Sequence, residues 1–140
     1  VVDAAARDAL GELYVKAAKS QDSDLPEVKE AKLRKMPLRA PMLIVAVACI
    51  HDHPKVPEVE QVITAGCAAQ NLIQAAYAQG LGAMWRTGEM AYHPLVHERL
   101  GLAANEEVIG YLYLGALPER MKKVPELDPA DFVSDWSLPE

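Results

Sequence analysis

The sequence predicts one domain of mixed helices and strands, on three observations. Residues 3–18 and 57–79 repeat apolar side chains at three- and four-residue spacing, the signature of a helix with one buried face. "APMLIVAVACI" and "EEVIGYLYLGAL" are continuous apolar runs of strand length, bounded by polar or Pro-containing segments. The chain has 140 residues, a size that typically buries about 68 to 70% of its unfolded surface, enough for one core. There is no internal repeat and no change of composition that would mark a second domain.

Each element has its own justification. In the first helix Ala6, Leu10, Leu13, Tyr14 and Ala17 fall on one side, with Asp3 available as the cap. After "SQDSD", the stretch "LPEVKEAKLRKM" predicts a short charged helix opened by Pro26 and stopped by Pro37. The run at Met42 to Ile50 predicts the central strand, buried on both faces. From Pro57 to Gln79 a long helix is expected, with Val62, Ile63, Gly66, Ala69, Ile73, Ala76 and Tyr77 on its apolar face. Its small residues Ala65, Gly66, Ala68 and Ala69 suit close approach by another backbone, including one across a subunit boundary. Gly80 is placed to end the helix in a left-handed cap. "AMWRT" is then a short strand or extended turn, and "HPLVHERLG" a helix with His93 near its cap, Pro94 at its first position and Gly101 at its end. "EEVIGYLYLGAL" is the second buried strand. Residues 118–140 contain four prolines and little periodicity, which predicts an extended C-terminal arm.

Composition excludes several classes of partner. A net charge of −6 gives no basic footprint for nucleic acid or an anionic membrane. The longest apolar run, "MLIVAVACI", has nine residues, whereas a spanning helix needs about 20. The first residues, "VVDAAARDAL", lack the basic head and apolar middle of a secretory signal. Cys49 and Cys67 have no metal-motif spacing and fall in a predicted strand and helix, so they are expected to be reduced core residues in a cytoplasmic protein.

Several chemistries find little support. "GLGAMW" has two glycines of a dinucleotide fingerprint, but they follow a helix, where that fingerprint requires a preceding strand. His51 and His53 flank Asp52 without a third metal ligand. His93 and His97 are four apart, yet His93 lies before Pro94, so both are expected at the surface. No Ser, Cys or Thr lies in a recognisable nucleophile motif.

The remaining candidate is "QGLGAMWRTGEM", residues 79–90, where Trp85 and Arg86 are followed by Thr87 and Gly88. A flat ring, a planar fork of donors and an open glycine backbone suit a phosphorylated aromatic cofactor. They equally suit a core aromatic, a surface charge and a turn, and spacing alone does not choose between these.

In chain order, "LRAP" before an apolar strand, "KVPEVEQ" opening a long helix, "AGCAAQNLIQAAYAQGLGAMWRTG" and "VIGYLYLGALPE" resemble the compact bacterial NAD(P)H nitroreductases, over roughly Leu38 to Pro118. The resemblance implies an α+β fold with a mainly antiparallel sheet surrounded by helices, assembled as a homodimer with FMN at the dimer interface. It implies FMN contacts at Trp85, Arg86 and Thr87, and places the nicotinamide cofactor, NADH or NADPH, at Ala75, Ala76, Tyr77, Ala78, Gln79 and Gly80. Arg86 has a physical role there as a cationic donor toward the phosphate side of FMN, and Thr87 adds a hydroxyl. Such relatives begin with a basic segment, typically Arg-Arg-Ser, that holds the FMN phosphate. Nothing like it precedes Val1, so the chain is expected to be the C-terminal part of a longer protein. The activity implied is FMN-dependent transfer of reducing equivalents from NAD(P)H to a small electron-poor aromatic acceptor, nitroaromatic or quinone-like, with no catalytic side chain named because the flavin carries the chemistry. The alternative is a flavin-binding or dimerisation module of the same fold without catalysis.

Overall fold

The computed structural model describes residues 2–120 and 123–138. Its elements are α1 (Ala4–Gln21), α2 (Glu27–Lys35), a 3-10 turn (Met36–Arg39), β1 (Met42–Cys49), α3 (Glu58–Ala78), β2 (Leu81–Arg86), the single turn α4 (Glu89–Tyr92), α5 (Pro94–Leu100) and β3 (Glu106–Ala116). The helix ends follow their capping residues. Asp3 accepts from the Ala6 amide at 2.7 Å, His93 caps α5 through Nδ1, and Gly80 and Gly101 take the left-handed φ that a side chain resists.

The three strands form one antiparallel sheet in the order β1-β3-β2. α1, α2, α4 and α5 supply the core on one face, where Tyr14, Leu43, Val96, Tyr111 and Tyr113 meet. The Tyr14 and Tyr111 rings pack edge to face at 5.9 Å, and the Tyr111 hydroxyl donates to the Met90 carbonyl. α3 covers the other face with Ala69 and Ala76 against Leu112 and Leu114. The register between β1 and β3 slips at Ala46/Val47, opposite Gly110 and Val108, which leaves Ile109 without a partner. That extra residue lets Val108 and Tyr111 face the same layer although an odd number of positions separates them. α1 crosses α2 at Gly11, where a Cβ would lie 2.3 Å from the Arg34 carbonyl oxygen.

Four expectations need correction. The run at Met42 is not the central strand: β1 pairs with β3 on one side, with a lone bridge from Val2 to Leu43 on the other, and β3 takes the middle. Nor is it fully buried, since only Leu43 and Ala48 are. A continuous apolar run reports apolar layers above and below a strand, not how many strands flank it. On α3 the expected stripe is narrower than predicted: Ala69 and Ala76 are buried with Ile73 packed beside them, and Val62 and Gly66 are half-buried, whereas Ile63 and Tyr77 are about 60% exposed. A helix rich in Ala and Gly has apolar residues around most of its circumference, so periodicity alone leaves the edges of its buried face open. Cys49 and Cys67 are free but exposed: Cys49 ends an edge strand, and Cys67 lies one turn beyond Ile63 on the outward side. His93 is buried, not at the surface, because its ring folds back to cap α5.

Residues 123–138 carry one 3-10 turn, Pro129–Asp131, and are otherwise irregular, with Phe132, Val133, Trp136 and Leu138 all exposed. Residues 121, 122, 139 and 140 of the expected arm lie outside the described residues, as does Val1 of the expected domain.

Candidate functional site

β2 divides the candidate residues between two layers. Along a strand successive side chains point to opposite faces, so Ala83 and Trp85 turn toward α3 while Gly82, Met84 and Arg86 turn the other way. Trp85 is half-buried. Its ring passes beside Gly66 of α3, whose Cβ would be 3.6 Å away, and lies directly over Gly110 of β3, where a Cβ would come within 1.9 Å of the indole nitrogen. That nitrogen donates to the Ile109 carbonyl at 3.1 Å. The indole is therefore committed to the sheet, and the structure does not bring the Trp85 ring and the Arg86 guanidinium to one surface.

The opposite face of β2 is open. Met84 sits across from Tyr113, Gly82 across from Gly115, and Arg86 across from Tyr111. Around Gly82, Met84, Tyr113 and Gly115 lies a hollow of about 280 Å³, closed on its far side by Arg39, Ala40 and Pro41 from the end of the 3-10 turn. The glycine pair makes it. A Cβ on Gly115 would press to 2.9 Å from Pro41, and one on Gly82 to 3.2 Å from Leu117, so bare backbone forms the floor. Arg7 of α1 donates to the Ala40 carbonyl and fixes the wall next to Arg39. Burial pushes the Tyr113 phenol above its ordinary pKa, while the charges of Arg39 and Arg86 pull it back down. Both cations therefore act on one neutral hydroxyl. Arg39 and Arg86 are exposed and take part in none of the ion pairs formed among the described residues.

The other expected positions are distributed as follows. Thr87 and Gly88 are exposed beyond the end of β2. Ala75, Tyr77, Ala78, Gln79 and Gly80 are exposed at the end of α3, whereas Ala76 is buried against the sheet. The Gln79 amide already donates to the Ala75 carbonyl at 3.1 Å, one turn back. Neither Arg39 nor Tyr113 stands out in the sequence as a site residue. "LRAP" signalled the first only as a family motif, and the second emerges only from the register of β3 with β2.

A second cavity, of about 440 Å³, lies beside His51, Asp52 and His53. Gln61 braces this loop through the His51 amide and carbonyl, at 2.9 and 2.8 Å. Among the described residues no three His, Cys, Asp or Glu side chains are gathered to hold a metal ion, and no helix is long and apolar enough to cross a membrane. An apolar groove between α1 and α5, lined by Leu10, Leu13 and Leu100, is flanked by Lys16 and Arg99.

Known proteins are similar to this chain in sequence and in architecture. A protein of Escherichia coli (strain K12), provisionally named NAD(P)H nitroreductase YdjA, is 34% identical over 137 residues, 96% of this chain and 73% of that protein. A Haemophilus influenzae protein with a similar provisional name is 35% identical over 113 residues, 79% of this chain and 61% of that one. Among solved structures, the nitroreductase-like family protein from Bacillus cereus matches with a TM-score of 0.74 at 21% identity, over 94% of this chain and 68% of its own. A nitroreductase with bound FMN from Bacteroides fragilis matches with a TM-score of 0.63 at 21% identity, over 98% and 73%. The family model described as Nitroreductase family matches residues 1–116, and with that match, these relatives and this antiparallel α+β fold, the chain belongs to the nitroreductase family.

Proposed function

We propose that the protein is an FMN-dependent oxidoreductase in which NADH or NADPH is the reductant and a small electron-poor nitroaromatic or quinone-like compound is the acceptor. The observation that carries this reading is the hollow beside β2, a glycine-floored cradle lined by Arg39 on the face of β2 that also carries Arg86, with neither arginine in an ion pair among the described residues. FMN, when bound, would supply the redox chemistry of a ping-pong cycle. The protein's contribution is to bind, orient and exclude water. Arg86 offers a charged fork to the phosphate-bearing side of the flavin, Thr87 a hydroxyl, and Trp85 its backbone, with its ring holding the strand in place. At the end of α3, Tyr77, Ala78 and Gly80 remain accessible to the nicotinamide cofactor, beside Ala75 and Gln79.

The reading includes a homodimer. The hollow of about 280 Å³ is smaller than the roughly 300 to 1,000 Å³ of a complete small-molecule site, as expected of half a site that a second subunit completes. Val59, Ile63 and Tyr77 on the outer face of α3 are the apolar surface available for that contact.

An anaerobic visible spectrum tests the function. Flavin absorbance that NADH or NADPH bleaches and a nitroaromatic restores is the expected result. Bound flavin that neither nucleotide reduces would reduce the protein to a flavin-binding module, and absence of flavin uptake would remove the reading.

A further inference from the structure

We infer that Arg39, which lines the hollow beside β2, is a second phosphate-binding side chain of the flavin site, acting with Arg86 further along the same face of β2. This rests on the FMN reading above and names a residue which that reading leaves unassigned. Three observations place it there. Arg39 lines the hollow with Tyr113, Gly82 and Gly115, so it borders bare backbone that a ligand can approach closely. Arg86 follows Met84, another lining residue, by two positions on the same face of β2, about 6.6 Å further along the strand. Across the strands Arg86 stands opposite Tyr111, next on that face to Tyr113, the charges of both arginines oppose the effect of burial on the Tyr113 phenol, and neither arginine joins an ion pair among the described residues.

The physical consequence is a preference for an anion. Two cations that share one face of the sheet without a carboxylate partner favour an anion there, and a dianionic phosphate is the ligand group that planar donor forks match. Tyr113 adds a neutral donor, since its phenol stays protonated at neutral pH under the net upward shift. Arg39 is also held in position from behind. It follows Pro37 and Leu38 in a 3-10 turn, and the next carbonyl, that of Ala40, accepts from Arg7. A single exposed arginine on a free loop would lack that support.

Binding titrations of the whole protein with FMN and with riboflavin, which lacks only the phosphate, test the assignment without relying on turnover. For Arg39→Gln, FMN affinity is expected to fall about ten- to a hundredfold, the loss of one charge-assisted phosphate bond, while riboflavin affinity stays within about threefold. Arg39→Lys should recover part of the loss through its charge. FMN binding unchanged in Arg39→Gln, beside a wild-type protein that binds FMN, overturns the assignment and leaves the flavin reading intact. Equal weakening of FMN and riboflavin overturns it in favour of a structural role, and weakening of NADPH alone overturns it in favour of the nicotinamide phosphate. A wild-type protein that binds neither flavin removes both readings together.

Discussion

Trp85 donates its indole hydrogen to the Ile109 carbonyl at 3.1 Å, at the bulge where β3 carries one residue more than β1 can match. The bond ties an edge strand to the irregular point of the central one. It is possible only because Gly110 leaves the space that the ring fills, and because Gly66 lets α3 lie close above. An aromatic that reads from sequence as a cofactor platform thus works as the pin that sets the angle of β2, and with it the direction of Arg86.

Replacing Trp85 with Phe keeps an aromatic ring and removes the donor. The Ile109 carbonyl then loses this partner, which should cost about 0.5–1.5 kcal/mol of stability, measured by denaturant unfolding. Riboflavin affinity should change less than threefold, because the side chain lies on the α3 side of the sheet. A large loss of riboflavin binding with unchanged stability would show that the ring contacts the flavin after all.

Gly110→Ala tests the same contact from below. The new methyl would sit 1.9 Å from the indole nitrogen, far inside contact distance, so either the ring or the strand must move. Overpacking of this kind typically costs about 1–3 kcal/mol. The double variant Gly110→Ala, Trp85→Ala should recover part of that loss relative to the sum of the single changes. Simple additivity in the cycle would mean that the two positions do not compete for space.

Gly11→Ala has a sign that the local sequence would misjudge. In an isolated helix, Ala is favoured over Gly by about 1 kcal/mol. Here the added Cβ would meet the Arg34 carbonyl oxygen at 2.3 Å, and backbone in a packed helix cannot step aside as a flexible side chain can. Net destabilisation is expected, with a lowered Tm in calorimetry. A raised Tm would show that α1 and α2 are free to separate.

What could be read from the sequence follows from how local each signal is. The caps at Asp3, His93 and Gly101 and the extents of α1, α3 and α5 depend on residues within a few positions of each other, and they appear almost where expected. Strand order does not. Nothing within "MLIVAVACI" says that β3 rather than β1 is flanked on both sides, since that is decided by segments some 60 residues apart. The site divides in the same way. Arg86 stands out because its neighbours in sequence are unusual. Tyr113 and the glycine pair Gly82 and Gly115 become neighbours of Arg39 only through strand register, which no short window contains. Trp85 and Arg86 look like one tool because they are adjacent, and the two-residue period of a strand is what separates them.

Arg86→Ala should weaken FMN by about 1.5–3 kcal/mol if the guanidinium makes a charged hydrogen bond to the phosphate, roughly ten- to a hundredfold in Kd by fluorescence titration. Raising the ionic strength should narrow the difference between wild type and variant, because the side chain is exposed and screened. Equal affinity at low salt would return Arg86 to an ordinary surface charge.

The proposed assembly is tested on α3. Val59, Ile63 and Tyr77 fall at spacings of 4 and 14 residues, which returns them to one side of a 3.6-residue helix, and all three are more than half exposed in the single chain. The inward side of the same helix packs Ala69 and Ala76, with Leu72 and Ile73 beside them, against the sheet, so Val59, Ile63 and Tyr77 are left pointing away from its own core. A helix turned this way gains stability when a second apolar surface covers it, and Cys67 and Gln70 next to the stripe are small or uncharged enough to be buried with it. A charge in the middle should therefore be costly to assembly and cheap to the fold. Ile63→Glu is expected to shift the protein from a dimer to the 15.3 kDa monomer in light scattering at micromolar concentration, to lower flavin affinity by removing the other half of the site, and to leave the far-ultraviolet circular dichroism unchanged. A wild-type protein that is itself a clean monomer at that concentration, yet binds flavin and is reduced by NAD(P)H, would show that the hollow beside β2 works alone and that the outer face of α3 serves another contact.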